Sequence, residues 1–266
     1  YARWCLQNNW IFLHPDFRGP NRTPEAMGSD LMIADIKAAV AWARQNAPVD
    51  SDRIYAIGVS GGGHATQLVA GRIPNLWAGI SSWCGISDIA AWHRESSEAG
   101  QKYAGEIEKA LGGSPSTDPG RLADAKHRSP LTWLAQGAGV PLDINHGITD
   151  GRTGSVPFSH SLQAWNAIVP QAQRFSESEI RNFYETQTPP LEISEALEDP
   201  LYGDRPPRFR RSHANTRLTI FDGGHEIIHE AALNWLAAQR KGSPANWNPP
   251  ITARLSSSAK ETQSGK

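Results

Sequence analysis

Two short stretches hold side chains whose types and spacing could do chemistry. Gly58-Val59-Ser60-Gly61-Gly62 has the G-x-S-x-G spacing of a serine nucleophile held on a tight turn. His225-Glu226-Ile227-Ile228-His229 has the H-E-x-x-H spacing that puts two zinc ligands on one helix face. The two patterns compete for His225, which would be a proton carrier in one and a metal ligand in the other.

The serine pattern has its required context. An apolar run, Arg53 to Val59, leads directly into Ser60, and a helix-like segment follows. So tight a turn strains the serine backbone, and side chains at Gly58 and Gly62 are expected to collide with neighbouring elements. The N–H of Gly61 would face a developing oxyanion, helped by the positive end of the following helix. No Lys-Ser or Lys-Thr follows the glycines, which disfavours a phosphate loop.

A serine nucleophile needs a base and an orienting carboxylate, in the chain order Ser, acid, His. Asp150 lies in a glycine-rich loop after a strand and is the preferred acid, with Asp88 as runner-up. Asp143 falls inside its strand and reads as structural. The candidate bases are His160, His213, His225 and His229. Of these, His225 alone follows a core strand through a short loop, where Gly223-Gly224 let the backbone bend. His64 reads as a wall residue behind the elbow, and His146 as a supporting or turn residue.

The zinc pattern lacks its supports. Gly223-Gly224 are poor helix interior, so His225 falls before or at the first helical turn. Glu230 points away from His229, and no further Glu, Asp or His follows until Glu261. No metal and no cofactor is expected. His229 becomes an ordinary helix residue, and Glu226 favours the helix N-terminus electrostatically.

The elements that must position these groups alternate. Apolar runs at Trp10–Leu13, Arg53–Val59, Trp77–Ile86, Pro141–Gly147 and Arg217–Phe221 read as strands. Between them lie helix-like segments. In the one after Ser29, Met32, Ile33, Ile36, Val40 and Ala43 share a face. The last is Glu226–Lys241. Apolar strands separated by helices imply an α/β fold, a mostly parallel sheet covered on both faces. Residues from about 95 to 130 and from about 171 to 212 interrupt this rhythm as insertions. Arg205, Arg208, Arg210 and Arg211 read as a solvated loop. One catalytic domain is expected over 1–241, with 242–266 as a coil and then a disordered tail.

Composition narrows the partners. The 266 residues carry a formal net charge of −1, which gives no basic field for nucleic acid and no reason to expect a membrane surface. No apolar run approaches the length of a membrane span. Cys5 and Cys84 are too few for a disulfide framework or a thiolate zinc site. A single bridge is allowed by number, but two buried thiols is the preferred reading. The ten tryptophans read mainly as packing residues. The start, "YARWCLQNNWIFLHPD", has no leader pattern and reads as the end of a helix running into a strand. The chain reads as beginning in mid-fold, so the missing leader says nothing about compartment, and oligomeric state is not legible.

These residues together resemble the catalytic α/β-hydrolase domain of the prolyl oligopeptidase family of serine peptidases, from about residue 1 to residue 240. "HPDFRG", "DLMIADIKAAVAWARQNAPVDSDRIYAIGVSGGG", "ALGGSP", "PLDINHG" and "FDGGHE" carry the resemblance. It implies a triad of Ser60, Asp150 and His225, and a small-molecule or short-peptide substrate. Where that family has H-G-x-x-D-x-x-V-P, Asp150 here lies six residues before Val156, so the loop is three residues longer. The resemblance also implies earlier strands and a loop supplying a second oxyanion donor, to which nothing in this sequence corresponds. The sequence therefore reads as N-terminally truncated. Related single-domain esterases share the motifs, so an esterase and a non-catalytic hydrolase-fold binding protein are the alternatives.

Overall fold

The computed structural model describes residues 1–16, 18–190 and 198–250. The helices are α1 (Ala2–Gln7), α2 (Asp30–Asn46), α3 (Gly61–Arg72), α4 (Ile89–Glu98), α5 (Tyr103–Leu111), α6 (Pro119–His127), α7 (Ser159–Ile168), α8 (Glu177–Thr186) and α9 (His229–Ala237). The strands are β1 (Tyr55–Val59), β2 (Gly79–Trp83), β3 (Leu142–Gly147), β4 (Pro207–His213) and β5 (Thr216–Phe221). They form one sheet in the order β1-β2-β3-β5-β4. All neighbouring pairs are parallel except β4 with β5.

Alternation along each strand sends side chains to two covered faces. Ile80, Leu142, Ile144, Leu218 and Ile220 meet α2, α3, α7 and α8 in the main core. Ile57, Trp83 and Phe221 face the other way, against α1, α9 and Tyr202. This is the mostly parallel, doubly covered α/β sheet that the apolar runs imply. In α2, Ser29 Oγ accepts the Met32 N–H at 3.2 Å, and the five predicted core residues are the buried ones. Cys5 and Cys84 are both buried and free. Among the described residues no helix is long and apolar enough to cross a membrane.

Three expectations are corrected. Trp10–Leu13 joins no strand among the described residues, and Ile11 is 52% exposed. It shares the lining of a cavity of about 680 Å³ with β1 and α2 instead of a ladder, so β1 is a sheet edge among the described residues. The arginine cluster is only in part a solvated loop: Arg205 lies in a loop before β4 and is half-buried, and Arg208 is exposed. Arg208, Arg210 and Arg211 lie on β4. Arg210 is 7% exposed and pairs with Asp199 at 3.0 Å, and Arg211 lies over Trp165 and Phe175. Their aliphatic stems and flat guanidinium groups let a polar sequence pack as an edge strand. The last helix begins at His229, three residues later than expected, because Glu226–Ile228 are not helical.

Residues 242–250 run against α9. Trp247 stacks on Trp235 at 5.4 Å, and its carbonyl accepts a hydrogen bond from Arg217. Residues 251–266, in the expected tail, lie outside the described residues.

Candidate active site

The parallel strands β1, β2, β3 and β5 all end at one sheet edge, and the candidate residues lie on the turns just beyond. Ser60 links β1 to α3 with φ 59° and ψ −121°, a backbone conformation that is costly for a residue with a Cβ. Its N–H is held by the Trp83 carbonyl at 2.9 Å. Gly61 opens α3, so its N–H has no intrahelical acceptor and points out at the helix N-terminus.

The glycines of the turn divide the work differently from the sequence expectation. A Cβ on Gly58 would collide with the Gly62 backbone. A Cβ on Gly62 would meet nothing within 4 Å, so no collision requires glycine there. The crowded position is Gly63, whose Cβ would strike the Trp83 carbonyl and lie 2.8 Å from Gly85 Cα. The five-residue motif stops one residue short of it.

Asp150 follows β3 and is fully buried. Its Oδ1 accepts the N–H groups of Gly151 at 2.9 Å and Val156 at 3.2 Å. Its Oδ2 accepts from His225 Nδ1 at 2.6 Å and from His146 Nε2 at 3.0 Å. Burial pushes this carboxyl's pKa up, but hydrogen bonds from His146 and His225 and their charges outweigh it. The carboxyl therefore lies well below the usual range and is ionised at neutral pH. The loop to Val156 folds around it, and a Cβ on Gly154 would strike Asp150 Oδ1.

His225 leaves β5 through Asp222-Gly223-Gly224. Thr149 Oγ1 donates to the Gly223 carbonyl at 2.9 Å, and the Glu226 carboxylate accepts the Gly224 N–H at 3.2 Å. Glu226 also pairs with Arg205. It thus braces the loop rather than the helix N-terminus, and that expectation is corrected. The Cys84 thiol at the end of β2 donates to the carbonyls of Gly224 (3.6 Å) and Glu226 (3.4 Å). These contacts hold His225 over β2, one strand from Ser60. Burial pushes the Cys84 thiol well up, so it stays protonated and able to donate. Donation from Nδ1 to the carboxylate leaves His225 Nε2 as the proton acceptor. Among the described residues no hydrogen bond joins Ser60 to His225.

The other candidates are occupied elsewhere. Asp88 caps α4, accepting the N–H groups of Ala90 and Ala91. Asp143 pairs with buried Arg217 at 2.8 Å. His160 is buried; its Nδ1 accepts the Ser87 N–H and its Nε2 meets Glu95 at 3.0 Å. His213 ends β4. His64 is buried and pushed down to about 4 by burial, so it is neutral as it meets the Arg128 carbonyl.

His229 opens α9 with its ring against Tyr1. Residues 225–228 are not helical, so His225 and His229 do not form the helical pair that a zinc site needs. Among the described residues, Cys84, Asp150 and His225 bring ligand-type atoms within 4.8 Å of one another. The 2.6 Å bond between two of them joins His225 Nδ1 to the Asp150 carboxylate.

No curated protein matches the chain. Among solved structures it is similar to a Pyrococcus horikoshii acylaminoacyl peptidase at 20% identity and TM-score 0.44, over 55% of this chain and 22% of that one. It is also similar to a Mycobacterium tuberculosis puromycin-hydrolyzing peptidase at 21% identity and TM-score 0.41, over 55% of this chain and 20% of that one. The chain thus spans about a fifth of the length of these proteins. The model of the prolyl oligopeptidase family matches residues 25–184, which is more than half of the chain and includes Ser60 and Asp150. On that match, the chain belongs to the prolyl oligopeptidase family.

Proposed function

We propose that this chain is a serine hydrolase domain that cleaves peptides through an acyl-enzyme, with Ser60, Asp150 and His225 as its triad. The observation that carries the reading is the 2.6 Å bond from His225 Nδ1 to buried, ionised Asp150, on a loop held by Cys84 at the end of β2. His225 Nε2 takes the Ser60 proton as Oγ attacks the substrate carbonyl. Asp150 holds the ring's tautomer and stabilises the imidazolium. The Gly61 N–H stabilises the oxyanion. The leaving amine departs with the proton from His225, and water then hydrolyses the ester of Ser60 by the same route. The Ser60–His225 hydrogen bond forms when substrate closes the site, a common feature of unliganded catalytic geometry.

Peptides are favoured over other acyl donors by the family match. The test is labelling of the 266-residue protein with a fluorophosphonate, followed by hydrolysis of peptide p-nitroanilides and p-nitrophenyl acetate. Label on Ser60, lost in Ser60→Ala and accompanied by anilide cleavage, supports the reading. A folded protein that takes no label at Ser60 overturns it. Ester cleavage without anilide cleavage replaces the peptidase by an esterase.

A further inference from the structure

One N–H at Gly61 leaves a developing oxyanion with a single donor, whereas oxyanion sites generally converge two or more on the same point. Asn21 lies beside Gly61. Its Nδ2 is 2.5 Å from where a Cβ on Gly61 would stand, and among the described residues, the chain neighbours of Gly61 aside, no other side chain comes within 4 Å of that point. The amide is oriented: Asn21 Oδ1 accepts the Met27 N–H at 3.2 Å, so the nitrogen must be the end turned toward Gly61. Among the described residues Nδ2 has no hydrogen-bond acceptor. Asn21, Gly61 and Gly62 line one cavity, so a group entering beside the Ser60 turn meets the amide. The turn bearing Asn21 is tied to α2 by a two-pronged bond from Arg18 to Asp35, at 2.6 and 2.9 Å.

We propose that Asn21 is a catalytic residue, the second oxyanion donor, a role that rests on the proposed Ser60 chemistry. As the Ser60 Oγ–carbon bond forms, the carbonyl π bond breaks and its electron pair moves to oxygen. The Ser60 proton passes to His225 Nε2. The oxygen, now negative, receives the Gly61 N–H and one N–H of the Asn21 amide. The second amide hydrogen stays solvated. The same pocket explains glycine at position 61, since any side chain there would displace the donor.

The experiment compares Asn21→Ala and Asn21→Asp with the parent, using p-nitrophenyl acetate turnover, fluorophosphonate labelling of Ser60 and thermal melting. Asn21 is exposed and Asn21→Asp keeps the Met27 bond, so that variant should melt like the parent; Asn21→Ala frees the Met27 N–H and should stay folded but melt a few degrees lower. Asn21→Ala should lower kcat by about 10²–10³-fold with KM little changed. Asn21→Asp keeps the bond to Met27 but sets a negative charge against the oxyanion, so it should lose more than alanine. Unchanged kcat in both variants of a protein whose Ser60 labels overturns this inference and leaves the proposed function standing. A rise in KM alone also overturns it, making Asn21 a wall of the substrate pocket. A parent that takes no label at Ser60 overturns both.

Discussion

His146 and His225 donate to the same oxygen of Asp150, at 3.0 and 2.6 Å. One ring comes from within β3 and the other from the loop after β5. The His146 Nε2 also meets the Val156 carbonyl at 3.0 Å, which can only accept, so Nε2 carries a proton, and Nδ1 shares a hydrogen bond with the Ser161 hydroxyl at 2.7 Å.

Replacing His146 by Phe should therefore destabilise the fold by roughly 1.5–3 kcal/mol, the scale of a hydrogen bond to a charged group. It should also move acid unfolding to higher pH. Because the folded pKa of Asp150 is depressed, its stabilisation is present above the unfolded value, near about 3.9, and is lost as pH falls through the folded value. Without the His146 donor the folded value rises, so less of this stabilisation is present above the unfolded value and its loss is complete at higher pH. Circular dichroism against pH checks this. A midpoint equal to the parent's would show that His146 does not hold the carboxylate.

Asp150→Asn tests orientation separately from charge. Asparagine can keep its oxygen on Gly151 and Val156, and His146 loses its bond to residue 150 but keeps the Val156 carbonyl as acceptor, so the loop should stay folded at reduced stability. The asparagine amide nitrogen then faces His225, which must turn its lone pair inward and present the proton to Ser60. Ester turnover should fall by about 10⁴-fold, the scale seen when a triad acid is neutralised in this way. Loss of less than about tenfold would remove Asp150 from the proposed triad.

Legibility followed how local each constraint is. The Ser60 turn could be read because strand, glycine and helix signals are adjacent in sequence. Gly223-Gly224 after an apolar strand likewise pointed to His225 and away from a helical zinc pair. By contrast, Trp10–Leu13 has the composition of a strand, but whether a ladder partner lies alongside is decided by tertiary structure. The arginines of β4 hid an edge strand, because the packing of Arg210 and Arg211 depends on Tyr202, Trp165 and Phe175 elsewhere in the chain. Asn21 sits in no motif, and only the approach of its turn to Gly61 singles it out.

The strain at Ser60 has a measurable signature. A non-glycine residue in such a conformation costs about 1–3 kcal/mol. Ser60→Gly removes the Cβ that causes it, against about 0.5–1 kcal/mol of added unfolded-state freedom. The variant should melt a few degrees above the parent, at about 2–4 °C per kcal/mol for a chain of this size, while losing the label at residue 60. Ser60→Ala keeps the Cβ and should lose the label without the gain. Equal melting temperatures for the two variants would mean that the turn is unstrained.

Gly62 and Gly63 are adjacent in α3 yet should respond in opposite directions to alanine. At Gly62 the new methyl has open space, and a helical glycine replaced by alanine gains roughly 0.5–1 kcal/mol. Gly62→Ala leaves the Gly61 N–H in place, so Ser60 reactivity should be retained. At Gly63 the methyl would meet the Trp83 carbonyl and Gly85, both backbone. Relief would require the end of β2 to move, at a cost of roughly 1–3 kcal/mol. That end carries Cys84, whose thiol holds the His225 loop, so Gly63→Ala should also slow labelling of Ser60. Thermal melts of both variants with labelling rates decide it. A destabilised Gly62→Ala, or a Gly63→Ala that melts and labels like the parent, would contradict this account of the turn.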